Sequence, residues 1–190
     1  RPLLLACSAA ILLMAGMAVA NVNYNLLREI ALDRYGKQAV EVVDQWQAEI
    51  TKMKPLPDEE KLRLTNAFFN SRVKWVSDKR IFQQEDYWAT PLEVMGEGQG
   101  DCEDFAIAKY ITLVLSGVEI DKLRITYVKA KIRRNGAVAS QAHMVLAYYS
   151  SPTEEPVVLD NIIPEIYSAS RRTDLTPVYG FNSKGIWVGT

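Results

Sequence analysis

Cys102, His143 and Asp160 are the residues whose types and order suit nucleophilic chemistry. A thiol attacks as its thiolate, and a free cysteine near neutral pH is only a few per cent ionised. A helix N-terminus, a neighbouring imidazolium and access to solvent each raise that fraction. Cys102 is the second residue of the stretch DCEDFAIAKYITLVLSG, just after a loop containing Gly96, Gly98 and Gly100. Small residues there let a substrate approach the backbone, and the Cys102 N–H at a helix start is a candidate oxyanion donor. His143 is the one histidine of the chain, so any imidazole partner must be that residue. An imidazole used as a base needs a group that fixes its tautomer. Asp160 ends the strand expected after the one carrying His143, and adjacent antiparallel strands can bring the two side chains together. Each residue also has an ordinary reading: a buried thiol, a satisfied imidazole, a turn-forming aspartate.

The acids around the thiol pull the other way. Asp101, Glu103 and Asp104 flank Cys102, and nearby negative charge raises a thiol pKa. Acids in a first helical turn complement the helix dipole, which accounts for Glu103 and Asp104. The same three carboxylates also offer hard oxygen ligands suited to calcium rather than zinc. A bound Ca²⁺ would cancel their field and pin the glycine loop. The residues alone leave both readings open.

These groups must be held by helices first and strands second. A helix around Tyr24 to Arg34 is separated by Gly36 from a second, with Val40, Val43, Trp46, Ile50 and Met53 at three- and four-residue steps. Pro55 and Pro57 end it. A third helix is expected from Asp58 to about Trp75, with Leu62, Thr65, Phe68, Phe69 and Val73 inward. SDKRIFQQED reads as loop, and Thr90-Pro91-Leu92-Glu93 has the form of a capping box with Pro at the first helical position. The Cys102 helix is apolar on nearly all sides and therefore buried. LRITYVKAKI is a strand, Arg134-Asn135-Gly136 a hairpin turn, and Val138 to Tyr149 the return strand. Val157-Val158-Leu159 is a further strand, residues 164–185 look irregular, and GIWVG is a short last strand. Helices followed by an antiparallel sheet make an α+β fold.

Composition narrows the classes. A 48% hydrophobic and 24% charged chain is neither disordered nor collagen-like. A formal net charge of −1 argues against nucleic acid as a partner. Two cysteines and one histidine exclude a disulfide framework and an all Cys/His zinc site. Residues 1–20 have the form of a signal peptide: Arg1, an uncharged apolar run, and an Ala18-Val19-Ala20 exit. An uncleaved anchor and lipidation at Cys7 are alternatives. Export would leave residues 21–190 as a single domain with Cys102 as its one thiol.

The stretch EDYWATPLEVMGEGQGDCEDFAIAKY, residues 85–110, resembles the bacterial transglutaminase-like cysteine proteinase family, in particular its LapG-type periplasmic proteases. QAHMVLAY around His143 and VVLDN around Asp160 match the family's other two blocks. The resemblance implies a papain-like, transglutaminase-like core with Cys102 as nucleophile, His143 as base and Asp160 as its orienter. It implies calcium near Asp101, Glu103 and Asp104. It also implies a periplasmic endopeptidase that cuts the N-terminal region of a large surface adhesin at a di-alanine site, releasing cells from a biofilm. The inhibitory partner it implies is the periplasmic domain of an inner-membrane cyclic di-guanylate receptor. Trp88 is a candidate for the substrate cleft or for an indole N–H near the oxyanion, or else a core aromatic. Two rival functions keep the same residues: a transglutaminase that passes the acyl group to an amine, and a non-catalytic calcium-responsive binding module.

Overall fold

In a computed structural model, residues 22–134 and 136–188 are described. The expected signal peptide, Cys7 and Asn135 lie outside them. The chain runs α1 (Tyr24–Tyr35), α2 (Lys37–Met53), α3 (Asp58–Arg72), β1 (Lys74–Trp75), α4 (Asp78–Ile81), α5 (Pro91–Glu97), β2 (Gln99–Gly100) and α6 (Cys102–Leu115). Strands β3 (Leu123–Arg134), β4 (Ala137–Tyr148), β5 (Val157–Leu159), β6 (Tyr167–Ser168), β7 (Leu175–Asn182) and β8 (Gly185–Val188) follow. They form one antiparallel sheet of order β6-β5-β4-β3-β7-β8. The α+β layout is as expected, and no helix among the described residues is long and apolar enough to cross a membrane.

α6 is apolar all round because it lies between two cores. Phe105 and Ala108 pack with Val43, Trp46, Ile50, Phe69 and Val94 of the helices. Ala106 and Leu113 pack with Leu123, Ile125, Met144, Leu146 and Leu159 of the sheet. Its one indole contact is polar as well as apolar: Trp46 Nε1 donates to Thr112 Oγ1 at 2.8 Å. The inner face expected for α3 is buried from Leu62 to Val73. That helix stops at Arg72, because Val73 turns extended and feeds β1, which pairs in parallel with β2. This places Gly100, and hence Cys102, against the end of α3.

Two further local expectations change. The polar stretch after β1 contains the one-turn helix α4. Residues 164–185 hold β6 and all of β7 rather than irregular chain. β7 carries Pro177 and pairs with β3 across a register shift at Tyr127/Val128, so its alternation is broken and unreadable as a period of two. The capping box at α5 forms as expected: Thr90 Oγ1 accepts from Glu93 N and Glu93 Oε2 from Thr90 N.

α5 is seated on α1 through Gly96. A Cβ at that position would meet the Tyr35 ring at 2.4 Å. Gly96→Ala is expected to cost about 1–3 kcal/mol through overpacking. Thermal unfolding should read this as a Tm lowered by roughly 3–10 °C.

Candidate active site

β4 and β5 bring His143 and Asp160 together as their sequence positions suggest. His143 Nε2 lies 2.8 Å from Asp160 Oδ1, and both side chains are essentially fully buried. Asp160 Oδ1 also accepts from the Asn161 and Ile162 amides at 2.6 and 3.1 Å, and Oδ2 accepts from Arg172 Nη2 at 2.7 Å. Burial alone would raise the Asp160 carboxyl. The His143 ring, the Ile162 amide and the Arg172 guanidinium outweigh it and hold the group well below the usual carboxylate range. An ionised carboxylate only accepts, so Nε2 carries the ring proton and Nδ1 is left as the basic nitrogen.

Arg172 lies within residues 164–185, which the sequence leaves irregular, and no pattern there marks it. Its Nη2 bridges Asp160 and Asp174, and Nε also donates to Asp174. Arg172→Met leaves a buried carboxylate without its cation, at an expected cost of about 3–5 kcal/mol. Asp160 has a depressed folded pKa, so its stabilising contribution is present above the unfolded value near pH ~4 and is lost as pH falls. Urea midpoints of wild type and Arg172→Met should therefore differ most near neutral pH and converge in acid.

Cys102 is half-buried at the first position of α6 and is the free thiol among the described residues. β5 pairs with β4 only at Leu146, Ala147 and Tyr148, so it ends before reaching Met144. The Met144 amide, with no strand partner on that side, instead approaches the Cys102 sulfur and favours its thiolate. The thiol thus sits at the open edge of β4, beside the residue next to His143. Its own hydrogen bond goes to Glu103 Oε2 at 3.0 Å rather than to the imidazole. Burial, the Glu103 carboxylate and the Asp101 charge together hold the thiol well above its ordinary range, against the Met144 amide.

The acids form a larger cluster than the sequence indicates. Asp78 and Asp86, from the stretch read as plain loop, converge with those around Cys102. Oxygens of Asp78, Asp101 and Asp104 lie within 4.8 Å of one another, as do those of Asp78, Asp86 and Glu103. Among the described residues no ion pair neutralises any of these five carboxylates. Burial, then Glu103, Asp78 and Asp104, push Asp101 up to about 9. Burial also lifts Asp104 to about 6, though the Ala89 and Asp101 amides oppose it. Asp78 is raised by burial and by the charges of Glu103 and Asp86. The buried Oδ1 atoms of Asp78 and Asp101 have no hydrogen-bond partner.

Two roles separate within the cluster. Asp104 accepts from the Ala89 and Asp101 amides at 2.8 and 3.0 Å, so it bolts the loop before α5 to the start of α6. Helix capping accounts for that residue. Capping also places Asp101, the N-cap of α6, but it does not account for the convergence of Asp78, Asp86 and Glu103 on this corner. The unpartnered buried oxygens of Asp78 and Asp101, among acids that repel one another, fit a hard divalent cation of the calcium type.

Trp88 is neither in the core nor a free donor. It is 48% exposed, stacks on Phe181 with centroids 5.8 Å apart, and its indole N–H goes to Asp86 at 3.1 Å. The oxyanion role is therefore not prepared by this geometry.

The sequence pattern of the bacterial transglutaminase-like cysteine proteinases (BTLCP) matches residues 26–178. No curated protein matches the chain. Among solved structures, Legionella pneumophila LapG is 38% identical with a TM-score of 0.76, over 88% of this chain and 88% of that one. The calcium-bound form of LapG gives the same values. The EGTA-treated form gives a TM-score of 0.77 at 38% identity, over 89% of this chain and 87% of that one.

Proposed function

The chain belongs to the bacterial transglutaminase-like cysteine proteinase family, and on that footing we propose that it is an exported, calcium-dependent endopeptidase with Cys102, His143 and Asp160 as its triad. The observation that carries this reading is the placement of the sulfur. It lies at the head of α6, where the Met144 amide of β4 favours its thiolate, and Met144 follows directly on His143, whose ring is held by the Asp160 carboxylate.

His143 Nδ1 takes the thiol proton, and the sulfur attacks the peptide carbonyl carbon to give a tetrahedral intermediate. The Cys102 N–H, at a helix start, receives the oxyanion. Collapse breaks the C–N bond, and the imidazolium gives its proton to the leaving amine. Water, deprotonated by the same nitrogen, then attacks the thioester and releases the acid and the thiol. Asp160 keeps Nε2 protonated and stabilises the imidazolium in both halves. Asp78, Asp86, Asp101 and Glu103 would hold the calcium ion, with Asp104 fixing the loop behind them. When bound, calcium supplies the positive charge that this corner of the site lacks.

The substrate we propose is the N-terminal region of a large surface adhesin, cut at a di-alanine site to release cells from a biofilm. The regulator is the periplasmic domain of an inner-membrane cyclic di-guanylate receptor. The 38% identity to LapG over most of both chains supports transfer of this biology, and the calcium-bound and EGTA-treated forms of LapG support the metal. Incubating residues 21–190 with such an adhesin fragment and calcium should give two fragments, with a new terminus at Ala-Ala by mass spectrometry. Cross-linked products would establish the transglutaminase reading instead, and an intact fragment would refute both.

A further inference from the structure

We infer that Lys109 is a positioning residue that ties the helix bearing Cys102 to the main-chain oxygen of Asp160, and so sets the reach between thiol and imidazole. The inference rests on the protease reading above. Lys109 lies seven residues after Cys102 on α6, two turns on and therefore on the same face, about 10 Å along the axis. Its Nζ donates to the Asp160 carbonyl oxygen at 3.0 Å, within a site where the lysine is 1% exposed. From the other side Asn70 Nδ2 of α3 donates to the same oxygen at 2.8 Å. One peptide oxygen is thus the meeting point of the helix bearing Cys102, α3 and the exit of β5. The carboxylate of that same residue holds His143.

This lysine is a costly way to fill the slot. Burial pushes the ammonium down to about 7, with Asp160 acting in the opposite sense. Around Nζ stand the Asp160 oxygen and, 5.5 Å from its centroid, the Phe105 ring. A methionine of nearly the same length would fit among these neighbours without desolvating a charge. What methionine cannot do is bind the oxygen. Either protonation state of Lys109 keeps an N–H for it. Without that bond the Asp160 carbonyl oxygen is held by Asn70 alone, and the carboxylate that aims His143 can tilt. Misplacement of a catalytic group by about 1 Å is enough to cost a hundredfold in rate.

The test compares wild type and Lys109→Met, both calcium-loaded, on a quenched fluorogenic peptide with Ala-Ala at its centre. A second readout is the imidazole NMR spectrum, which is unambiguous because His143 is the only histidine. We expect kcat to fall at least tenfold with KM within twofold. The His143 ring resonances should shift, and Tm should be equal or higher. Unchanged kcat and unchanged ring resonances would overturn the inference, as would losses of kcat and Tm in parallel. Asn70→Ala guards against a Lys109→Met protein that does not fold. Its half-exposed side chain is the other donor to the oxygen, and it should move the same resonances in the same sense by less. No movement there also overturns the inference. Should wild type itself leave the peptide uncut, the protease reading falls while the spectra still decide whether Lys109 positions the ring.

Discussion

Cys102→Ala is expected to lower kcat on the di-alanine peptide by at least ~10⁴-fold, since removing the nucleophile of a triad leaves only binding and oxyanion contributions. The fold should not suffer. The thiol stands half-buried with its hydrogen bond directed at Glu103, 3.0 Å away, in a corner already rich in negative charge. Alanine removes that contact and is the best helix former for the first turn. Tm should stay within a few degrees of wild type, which separates lost chemistry from lost structure. Retained cleavage by Cys102→Ala, checked by mass spectrometry to exclude contaminating protease, would end the account. Cys102→Ser should behave similarly, because no neighbouring group lowers a serine hydroxyl far enough to compensate.

Calcium should act on stability and activity together. Five carboxylates converge with no counter-charge, and two of their buried oxygens are unpaired. A cation that binds this arrangement only in the folded state adds about 2.7 kcal/mol at a hundredfold excess over Kd. For a domain of this size that is a rise in Tm of roughly 5–10 °C. EGTA should reverse it and abolish peptide cleavage, and added calcium should restore both. Asp86→Asn is the sharpest variant, because Asp86 is exposed in its loop and contributes to the cluster without filling the core. It should weaken calcium at least tenfold by isothermal titration while leaving the metal-free Tm nearly unchanged. Indifference of both Tm and cleavage to chelator and calcium would refute the metal's role.

The frame of this fold was legible in the sequence because its signals are local. Gly36, the prolines after Met53, the Thr90 capping box and the period of β3 and β4 each mark a boundary within a few residues, and each boundary is where it should be. The partnership of His143 with Asp160 was readable for a related reason: short connections make sequential strands neighbours. The missed parts depend on tertiary convergence. Asp78 and Asp86 stand fifteen or more residues before Cys102 in a polar stretch, and only the β1–β2 pairing folds that stretch onto the α6 N-terminus. Arg172 precedes β7, the element that Pro177 and a register shift concealed. Lys109 did leave a trace, as the one charge inside a run of apolar helix, but its partner is a main-chain oxygen, which no residue pattern announces.

The placement of α6 between two hydrophobic cores has a bearing on when the enzyme can act. One end of that rod carries the sulfur, and its flanks are gripped by the helical half on one side and the sheet on the other. A chain with either half unfolded would leave the rod loose and the nucleophile unaimed. On the proposed reading, cleavage therefore requires both halves to be folded, and a copy with either one open would leave a peptide substrate uncut.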